Sequence, residues 1–204
     1  MRALLSPDEI ERAMRFHFPL HRQRFIITRG LLRKTLSQYL DTAPDQIRFI
    51  YGPHGKPYLE NNSLDLQFNV SHSADLAVFA LTAHLEIGVD IEKMEPDFNE
   101  GVAKRFFSPT EYAQLMALSS DEKMKGFYQI WSKKEAIIKA LGQGVFLSLT
   151  DFSVSLQAKE SITLTHLTPP SICYVEHFAV PEHYQAAFAT LESIGGVSYY
   201  KAYL

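Results

Sequence analysis

The sequence has a single cysteine, Cys173, among its 204 residues. This excludes a disulfide within the chain and a metal site built from several cysteines. Long apolar stretches are also missing: the longest runs, such as residues 76–83, fall well short of the ~18–20 residues that a membrane-spanning helix needs. At the N-terminus, acidic residues follow Leu4 and Leu5 too closely for a signal peptide. We therefore predict a soluble cytoplasmic protein.

A surplus of positive charge is absent, since 20 lysines and arginines stand against 23 aspartates and glutamates and the formal net charge is −3. The chain thus has no global basic field to attract nucleic acid or an anionic membrane. Any anion binding must come from a local cluster. One lies near the start of the chain, interleaved with aromatic and aliphatic residues, and consists of Arg12, Arg15, Arg22, Arg24, Arg29, Arg33 and Lys34.

No linker, low-complexity tract or long run of charge divides the chain. Its length fits one large domain or two small ones that share an interface. Residues 1–100 and 101–204 each indicate helices followed by antiparallel strands, and a faint similarity links residues 68–81 with residues 174–191. We predict an α+β protein of two similar halves, packed tightly, with a site in the cleft between them.

Hydrophobic periodicity and turn residues predict the individual elements. Residues 6–9 and 108–111 share the pattern Ser-Pro-x-Glu, which is typical of a helix start. The predicted helices cover about residues 6–15, 21–40, 108–118 and 122–141, the last one interrupted or bent near Gly126 and ended by Gly142 and Gly144. The predicted strands cover about residues 47–51, 64–70, 76–82, 87–91, 152–156, 161–166, 172–180, 185–191 and 197–203.

The predicted helix that ends at Gly142 carries the most informative segment of the chain. Glu135 and Lys139 are four residues apart, so both project from one side of the helix, and Trp131 and Ile138 are predicted to anchor it. A carboxylate held beside ammonium groups suits an anionic substrate that arrives with a metal ion. The alternative is an ordinary ion pair on an amphipathic helix, which contributes only about 0.3–0.5 kcal/mol.

A second acidic group ends the strand predicted at residues 87–91. Asp90 and Glu92 are two residues apart and therefore lie on the same face of that strand. Two carboxylates aimed in one direction repel each other unless a cation lies between them, and Mg²⁺ prefers such ligands together with phosphate oxygens. The alternative is a solvated strand end.

Two further segments contain candidate phosphate-binding groups. His72 lies at the end of a predicted strand, between Ser71 and Ser73 and after Asn69, where it is either an ordinary loop residue or a phosphate ligand. Lys56 lies in a stiff turn between glycine and proline, where it is either an exposed loop lysine or a further anion ligand.

Taken in order, these motifs resemble the 4′-phosphopantetheinyl transferase superfamily, and more narrowly its two-domain type that activates surfactin synthetase. The matching motifs are Gly-Lys-Pro, Phe-Asn-x-Ser-His-Ser, Ile-Gly-x-Asp-x-Glu, Phe-Phe-Ser-x-x-Glu-Tyr and Trp-Ser-x-Lys-Glu-Ala-x-x-Lys-x-x-Gly. They span about residues 6–190. The resemblance implies two α/β halves related by a pseudo-twofold axis, each a small, mostly antiparallel sheet with helices packed on it.

The resemblance also implies an activity, the transfer of the phosphopantetheine arm of coenzyme A to a serine of an apo carrier protein. Adenosine 3′,5′-bisphosphate is the other product. By motif, Asp90, Glu92 and Glu135 would hold Mg²⁺, or Mn²⁺ in its place, against the pyrophosphate. Glu135 would accept the proton of the carrier serine, directly or through water. Lys139 would protonate or support the departing phosphate.

Coenzyme A contacts follow from the same match. Ser71 and His72 would hold its phosphates, together with Lys134 and Lys139. Lys56 would contact the 3′-phosphate or the adenine, and the 3′-phosphate would also meet Arg24 and Arg12. Glu111 matches a further acidic residue of the family, but its place in a helix-start motif also explains it, so a role in the site stays open.

The carrier protein is expected to bind near residues 108–133, through the apolar residues Leu115, Met116, Leu118, Met124 and Phe127 and the basic residues Lys123, Lys125 and Lys133. For Leu115 and Phe127 a place in the core is an equal alternative. Members of the family usually have a further strand before the helix that begins after Ser6. Either the native protein lacks that strand or this chain is shortened.

Two rival functions use the same residues. A metal-dependent phosphodiesterase or nuclease also needs an acidic cluster, but the net negative charge and the lack of a long basic groove count against it. A carrier-binding protein without catalysis is the second rival, and the presence of Asp90, Glu92, Glu135 and Lys139 counts against that. We therefore predict a monomeric transferase. The sequence does not distinguish fatty-acid, polyketide and peptide-synthetase carriers, and tolerance for acylated coenzyme A is equally open.

Overall fold

Five α-helices form in the computed structural model, which describes residues 1–96, 99–142 and 148–201. Two of them begin with the predicted Ser-Pro-x-Glu motif, in which the glutamate accepts a hydrogen bond from the backbone amide of the serine, at 2.9 Å for Glu9 and 2.7 Å for Glu111. These bonds satisfy amides that the first turn of a helix leaves unpaired. The helices are α1 (Pro7–Met14), α2 (Pro19–Ser37), α3 (Glu100–Phe106), α4 (Pro109–Ala117) and α5 (Ser120–Leu141).

In the described part of the chain, eight β-strands pair antiparallel in three small sheets. Two sheets are hairpins, β1–β2 and β3–β4, and the third has the strand order β5-β8-β7-β6. The predicted α+β class is thereby confirmed. The strands are β1 (Phe49–Tyr51), β2 (Pro57–Leu59), β3 (Leu66–Ser73), β4 (Leu76–Ala83), β5 (Ile87–Lys93), β6 (Lys159–Leu164), β7 (Ser171–His177) and β8 (Tyr184–Thr190).

Strand β5 joins the two halves of the chain. On one side it pairs with β8 in regular register, with Asp90 opposite Ala187. On the other side it lies against β3, whose side chains accept hydrogen bonds from its backbone amides at 3.0–3.2 Å. The pairs are Val89 to Asn69, Ile91 to Ser71 and Lys93 to Ser73. We call this contact the β3–β5 seam.

Each half has its own apolar core. One lies under α2 and includes Leu32, Leu36, Ile47 and Phe68. The other surrounds α5, where Ile130 and Ile137 are completely buried against residues of β7 and β8. The division at residue 100 and the pseudo-twofold relation of the halves stay predictions.

Helix α5 differs from its prediction because it runs without interruption through Gly126. A Cβ atom there would lie 2.4 Å from Cδ1 of Leu118, so the glycine allows close packing and does not break the helix. Gly142 ends the helix with a φ of 64°, as predicted, since glycine adopts this left-handed conformation readily. Gly144 lies outside the described residues.

Other predictions of secondary structure were wrong. Helix α3 and strand β2 were not predicted. Residues 152–156 were predicted as a strand, but this irregular segment buries Phe152 and Val154 without pairing to a sheet. Residues 197–201 are not a strand either, and residues 202–203 of that prediction lie outside the described part of the chain. No helix in the described ranges is long and apolar enough to cross a membrane.

Candidate active site

Strand β5 and helix α5 touch each other through their backbones at Gly88. A Cβ atom on Gly88 would lie 2.0 Å from the carbonyl oxygen of Ala136 and 2.3 Å from the amide nitrogen of Ala140. No side chain fits in that space, so the helix lies directly on the strand. This contact brings Lys139, the neighbour of Ala140, against Asp90.

The two carboxylate oxygens of Asp90 have different surroundings. Oδ1 accepts hydrogen bonds from Nζ of Lys139 at 2.6 Å and from Oγ of Ser71 at 3.0 Å. Oδ2 is buried, and no donor of the described residues reaches it. Because an unpartnered buried oxygen costs free energy, this atom marks a place where a cation or a further donor would be stabilising.

Glu92 and Glu135 complete the acidic group. Burial raises the pKa of Glu92 and the charge of Asp90 raises it further, while a hydrogen bond from Oγ of Ser73 at 3.0 Å opposes the change. Burial also raises the pKa of Glu135; Lys139 opposes this, and Asp90 adds to it. Both glutamates therefore ionise less readily than in water, and a bound cation would favour their charged forms.

The carboxylate oxygens of Asp90, Glu92 and Glu135 are of the chemical type that binds a divalent ion. They offer hard oxygen ligands of the type that Mg²⁺ and Mn²⁺ prefer, including the unpartnered Oδ2 of Asp90. Within residues 1–96, 99–142 and 148–201, no three His, Cys, Asp or Glu side chains are close enough together to hold a metal ion. The ammonium of Lys139 is the cation that contacts Asp90 in this arrangement.

The hydroxyl of Ser71 makes all of its hydrogen bonds within the protein. Its hydroxyl donates to Asp90 and accepts from the amide of Ile91 at 3.2 Å and from Nζ of Lys139 at 3.1 Å. A hydroxyl has one hydrogen and two acceptor positions, so all of them are used. In this arrangement Ser71 orients Asp90 and Lys139 and has no donor left for the predicted phosphate.

His72 lies among positive charges next to the acidic group. Partial desolvation lowers the pKa of its imidazole, and the charges of Lys139, Arg24 and His21 lower it further. Arg24 donates from Nη2 to Asp75 at 2.7 Å, and its buried Nε has no hydrogen-bond partner within the described residues. Lys139 and Arg24 thus make the surroundings of His72 suitable for an anion.

Arg12 is exposed and lies over the ring of Phe25, with 5.5 Å between its guanidinium carbon and the ring centroid. Phe25 belongs to α2, so this contact places Arg12 against that helix. Its charge also acts on Arg29, whose pKa is lowered mainly by burial. The role of Arg12 toward coenzyme A stays a prediction.

Lys56 connects the two halves. Its buried ammonium donates to Glu86 at 2.5 Å, to the carbonyl oxygen of Ile87 at 3.3 Å and to that of Ala140 at 3.1 Å. An ammonium has three hydrogens, so none is left for a phosphate in this arrangement. The predicted contact with the 3′-phosphate would require Lys56 to give up one of these bonds.

The structure does not bring Lys134 to the site predicted for it. Its side chain is completely buried in the C-terminal half, and Nζ donates to Glu111 at 2.6 Å and to the carbonyl oxygen of Phe152 at 2.7 Å. Glu111 also accepts from the amide of Val154 at 2.8 Å. Both charges are therefore paired with each other inside the protein, and the predicted role of Lys134 toward the pyrophosphate, like a site role for Glu111, stays a prediction.

Three residues of the expected carrier-binding surface are also buried. Leu115 and Phe127 belong to the core around α5, as the alternative held. Lys133 is completely buried, and its ammonium donates to Glu160 at 2.6 Å and to two backbone carbonyl oxygens. Lys133 is therefore not available to acidic groups of a carrier.

A cleft of about 630 Å³ opens beside Glu135 and Lys139. Its wall includes residues from both sides of position 100, among them Lys56, Asn69, Val70, Arg105, Phe106, Glu135, Ile138, Lys139 and Leu149. A site between two halves stays a prediction. Ile138 and Trp131 act as the predicted anchors, since Ile138 is buried and the Trp131 ring contacts those of Phe106 and Phe127.

Sequence reasoning missed the role of Ser73 and the contribution of Arg105 and Phe106 to the cleft. A signal for Ser73 existed, because Asn69, Ser71 and Ser73 place three polar residues on one face of a strand whose opposite face carries Leu66, Phe68 and Val70. Phe106 is the first residue of the Phe-Phe-Ser-x-x-Glu-Tyr motif, which was a signal for it. For Arg105 the sequence analysis found no signal, since helix α3 was not predicted.

Comparison with known proteins identifies the family. Residues 86–189 match the family model of the 4′-phosphopantetheinyl transferase superfamily, and residues 1–84 match the model of the 4′-phosphopantetheinyl transferase N-terminal region. The chain belongs to the 4′-phosphopantetheinyl transferase superfamily and is a transferase. The family predicted from the ordered motifs is thereby confirmed.

Individual relatives agree with the family model. The 4′-phosphopantetheinyl transferase HetI of Nostoc sp. is 42% identical over 165 residues, which cover 79% of this chain and 69% of that protein. The 4′-phosphopantetheinyl transferase Sfp of Bacillus subtilis is 35% identical over 185 residues, or 91% of this chain and 81% of the relative. The L-aminoadipate-semialdehyde dehydrogenase-phosphopantetheinyl transferase of Mus musculus is 30% identical over 74% of this chain and 53% of its own length.

Proposed function

We propose that this protein transfers the 4′-phosphopantetheine arm of coenzyme A to a serine hydroxyl of an apo acyl or peptidyl carrier protein, with release of adenosine 3′,5′-bisphosphate. The observation that carries the proposal is the contact of Lys139 with Asp90, at 2.6 Å, next to two glutamates whose pKa values are raised. Anionic and cationic groups alternate there at the edge of a cleft, as the transfer of a charged phosphoryl group requires.

Asp90, Glu92 and Glu135 are the residues that would hold Mg²⁺ or Mn²⁺ and the pyrophosphate beside it. When bound, the ion would neutralise charge that develops on the phosphate under attack. The unpartnered Oδ2 of Asp90 supports this assignment, as does the mutual repulsion that helps to raise the pKa of both glutamates.

Glu135 is the proposed base for the serine of the carrier. Its raised pKa makes it a stronger base than a solvated glutamate, and it lines the cleft that the pantetheine arm and the serine would share. It would take the serine proton, directly or through water, while the serine oxygen forms a bond to phosphorus. Lys139 would stabilise or protonate the phosphate that leaves.

Coenzyme A would bind with its anionic nucleotide end toward His72, Arg24 and Arg12. The positive surroundings of His72 and the unpartnered Nε of Arg24 support this orientation. The protein is proposed to act as a cytoplasmic monomer. Its only cysteine is a buried free thiol, which suits a reducing compartment.

Intact-protein mass spectrometry tests the reaction directly. Apo carriers from fatty-acid, polyketide and peptide synthesis are incubated with the protein, coenzyme A and Mg²⁺, with and without a chelator. We expect a mass gain of one phosphopantetheine arm on the carrier, lost with the chelator and in Glu135→Gln. A Glu182→Gln variant, changed at an exposed residue, is the matched control. No gain on any carrier, from a folded protein that binds coenzyme A, would contradict the proposal.

A further inference from the structure

Ser73 makes two hydrogen bonds at the end of the β3–β5 seam. Its hydroxyl donates to Oε2 of Glu92 at 3.0 Å and accepts from the backbone amide of Lys93 at 3.0 Å. The second bond fixes the hydroxyl to the backbone of the strand that carries Glu92. The glutamate is thus attached to its own strand through a side chain of the neighbouring hairpin.

The same arrangement occurs one step earlier along both strands. Ser71 donates to Asp90 and accepts from the amide of Ile91. Since side chains on one face of a strand repeat every second residue, the register that aligns Ser71 with Asp90 also aligns Ser73 with Glu92. The two pairs differ in one respect, because Ser71 also contacts Lys139.

A fixed carboxylate orientation matters most for Glu92. Glutamate has one more rotatable bond than aspartate, so an unrestrained side chain would lose more conformational freedom when it binds a cation. Partners of metal-binding carboxylates commonly orient them, and their removal typically weakens metal binding by 10–100-fold. Ser73 provides such a partner from a rigid strand.

We propose that Ser73 is a positioning residue, which holds the carboxylate of Glu92 in the orientation needed for divalent-cation binding in the coenzyme A complex. The inference rests on the proposed function, which assigns Glu92 to the cation. Ser73 acts only through Glu92.

Binding of Mn²⁺ to the complex of the full chain with coenzyme A, measured by the loss of the free Mn²⁺ signal in electron paramagnetic resonance, tests the inference. We expect Ser73→Ala to raise the Kd for Mn²⁺ about 10-fold and to raise the Mg²⁺ concentration needed for half-maximal transfer. The rate at saturating Mg²⁺ should change little. Ser73→Thr, which keeps the hydroxyl, should restore binding.

Ser119→Ala is the matched control, because Ser119 also donates to a glutamate, Glu122, at 2.6 Å, but at the exposed start of α5. It should leave the Kd for Mn²⁺ unchanged. A double-mutant cycle then tests the route of the effect: in a Glu92→Gln background, Ser73→Ala should weaken Mn²⁺ binding no further.

Two results would overturn the inference. One is a wild-type Kd for Mn²⁺ in Ser73→Ala, and the other is an undiminished effect of that change in the Glu92→Gln background. Melting temperature and coenzyme A binding without metal identify a variant that has simply lost its fold. A wild-type complex that binds no Mn²⁺ would instead contradict the proposed metal role, and the inference with it.

Discussion

At the scale of single residues, the site contains more negative charge than its surroundings neutralise. Lys139 contacts Asp90, but Glu92 and Glu135 both keep raised pKa values, primarily because they are buried. Folding therefore holds carboxylates in an environment that disfavours their ionised forms. Such strain is common where a ligand supplies the missing charge.

Glu135→Gln is expected to abolish transfer and yet stabilise the metal-free protein at pH 8. The folded state raises the pKa of Glu135, so it binds the proton more tightly than the unfolded chain does. The ionised side chain thus destabilises the fold above the raised pKa, and this penalty disappears as the pH falls below the ordinary glutamate value. Melting temperatures from pH 8 to pH 4 check this, and a variant that is less stable than the wild type at pH 8 would contradict it.

Lys134→Met is expected to destabilise the protein by about 3–5 kcal/mol, because it leaves Glu111 buried without its cation. Urea denaturation measures the loss. Adding Glu111→Gln should recover part of it, and Lys125→Met, at an exposed position of the same helix, should change stability by less than about 0.5 kcal/mol. If Lys134→Met kept its stability and bound coenzyme A more weakly, the original prediction of a pyrophosphate ligand would be right.

At the scale of elements, the backbone contact between β5 and α5 sets the geometry of the site. Asp90 and Lys139 meet because Gly88 lets the strand and the helix approach until a Cβ would lie 2.0 Å from Ala136. Periodicity predicted both elements nearly correctly, and the family motifs predicted that their charged groups meet. The closeness of the two backbones was not predicted, because a glycine within a strand pattern also fits a bulge.

Gly88→Ala is expected to destabilise the protein by about 3 kcal/mol, the upper end for overpacking, since the atoms in conflict belong to the backbone and cannot rotate away. Transfer should fall by at least about 10-fold as the helix shifts, because small displacements of catalytic groups have large effects on rate. Urea denaturation and carrier assays measure the two effects. Gly195→Ala, where an added Cβ meets nothing within 4 Å, is the control. Wild-type stability in Gly88→Ala would show that the contact can relax.

At the scale of the whole molecule, β5 belongs to both halves. The sequence places it in the first half, and its backbone pairs with β8 of the second. Propensity cannot reveal such long-range pairing. Long-range contacts also explain why the burial of Lys133 and Lys134 was not predicted, since their partners Glu160 and Glu111 are distant along the chain. Residues 152–156 show the opposite case. Apolar and polar residues alternate there as in a strand, and Phe152 and Val154 are buried, but the segment pairs with no strand of the described residues.

Lys56→Met is expected to weaken the junction of the halves by about 1–3 kcal/mol, because it leaves the carbonyl oxygens of Ile87 and Ala140 without their donor. Urea denaturation measures the change, and the affinity for coenzyme A should change little. A large loss of that affinity at unchanged stability would instead support the predicted contact of Lys56 with the nucleotide. Lys159→Met, on an exposed pair with Glu176, is the control.

The β3–β5 seam has a consequence for amide hydrogen exchange in β5. The amides of Val89, Ile91 and Lys93 are protected by side-chain oxygens of β3, whereas their neighbours in β5 pair with β8. If the β3–β4 hairpin separates from β5 while β5 stays paired with β8, these alternate amides lose protection and the amides between them keep it. Hydrogen exchange measured along β5 would thus distinguish separation of the β3–β5 seam from unfolding of the protein.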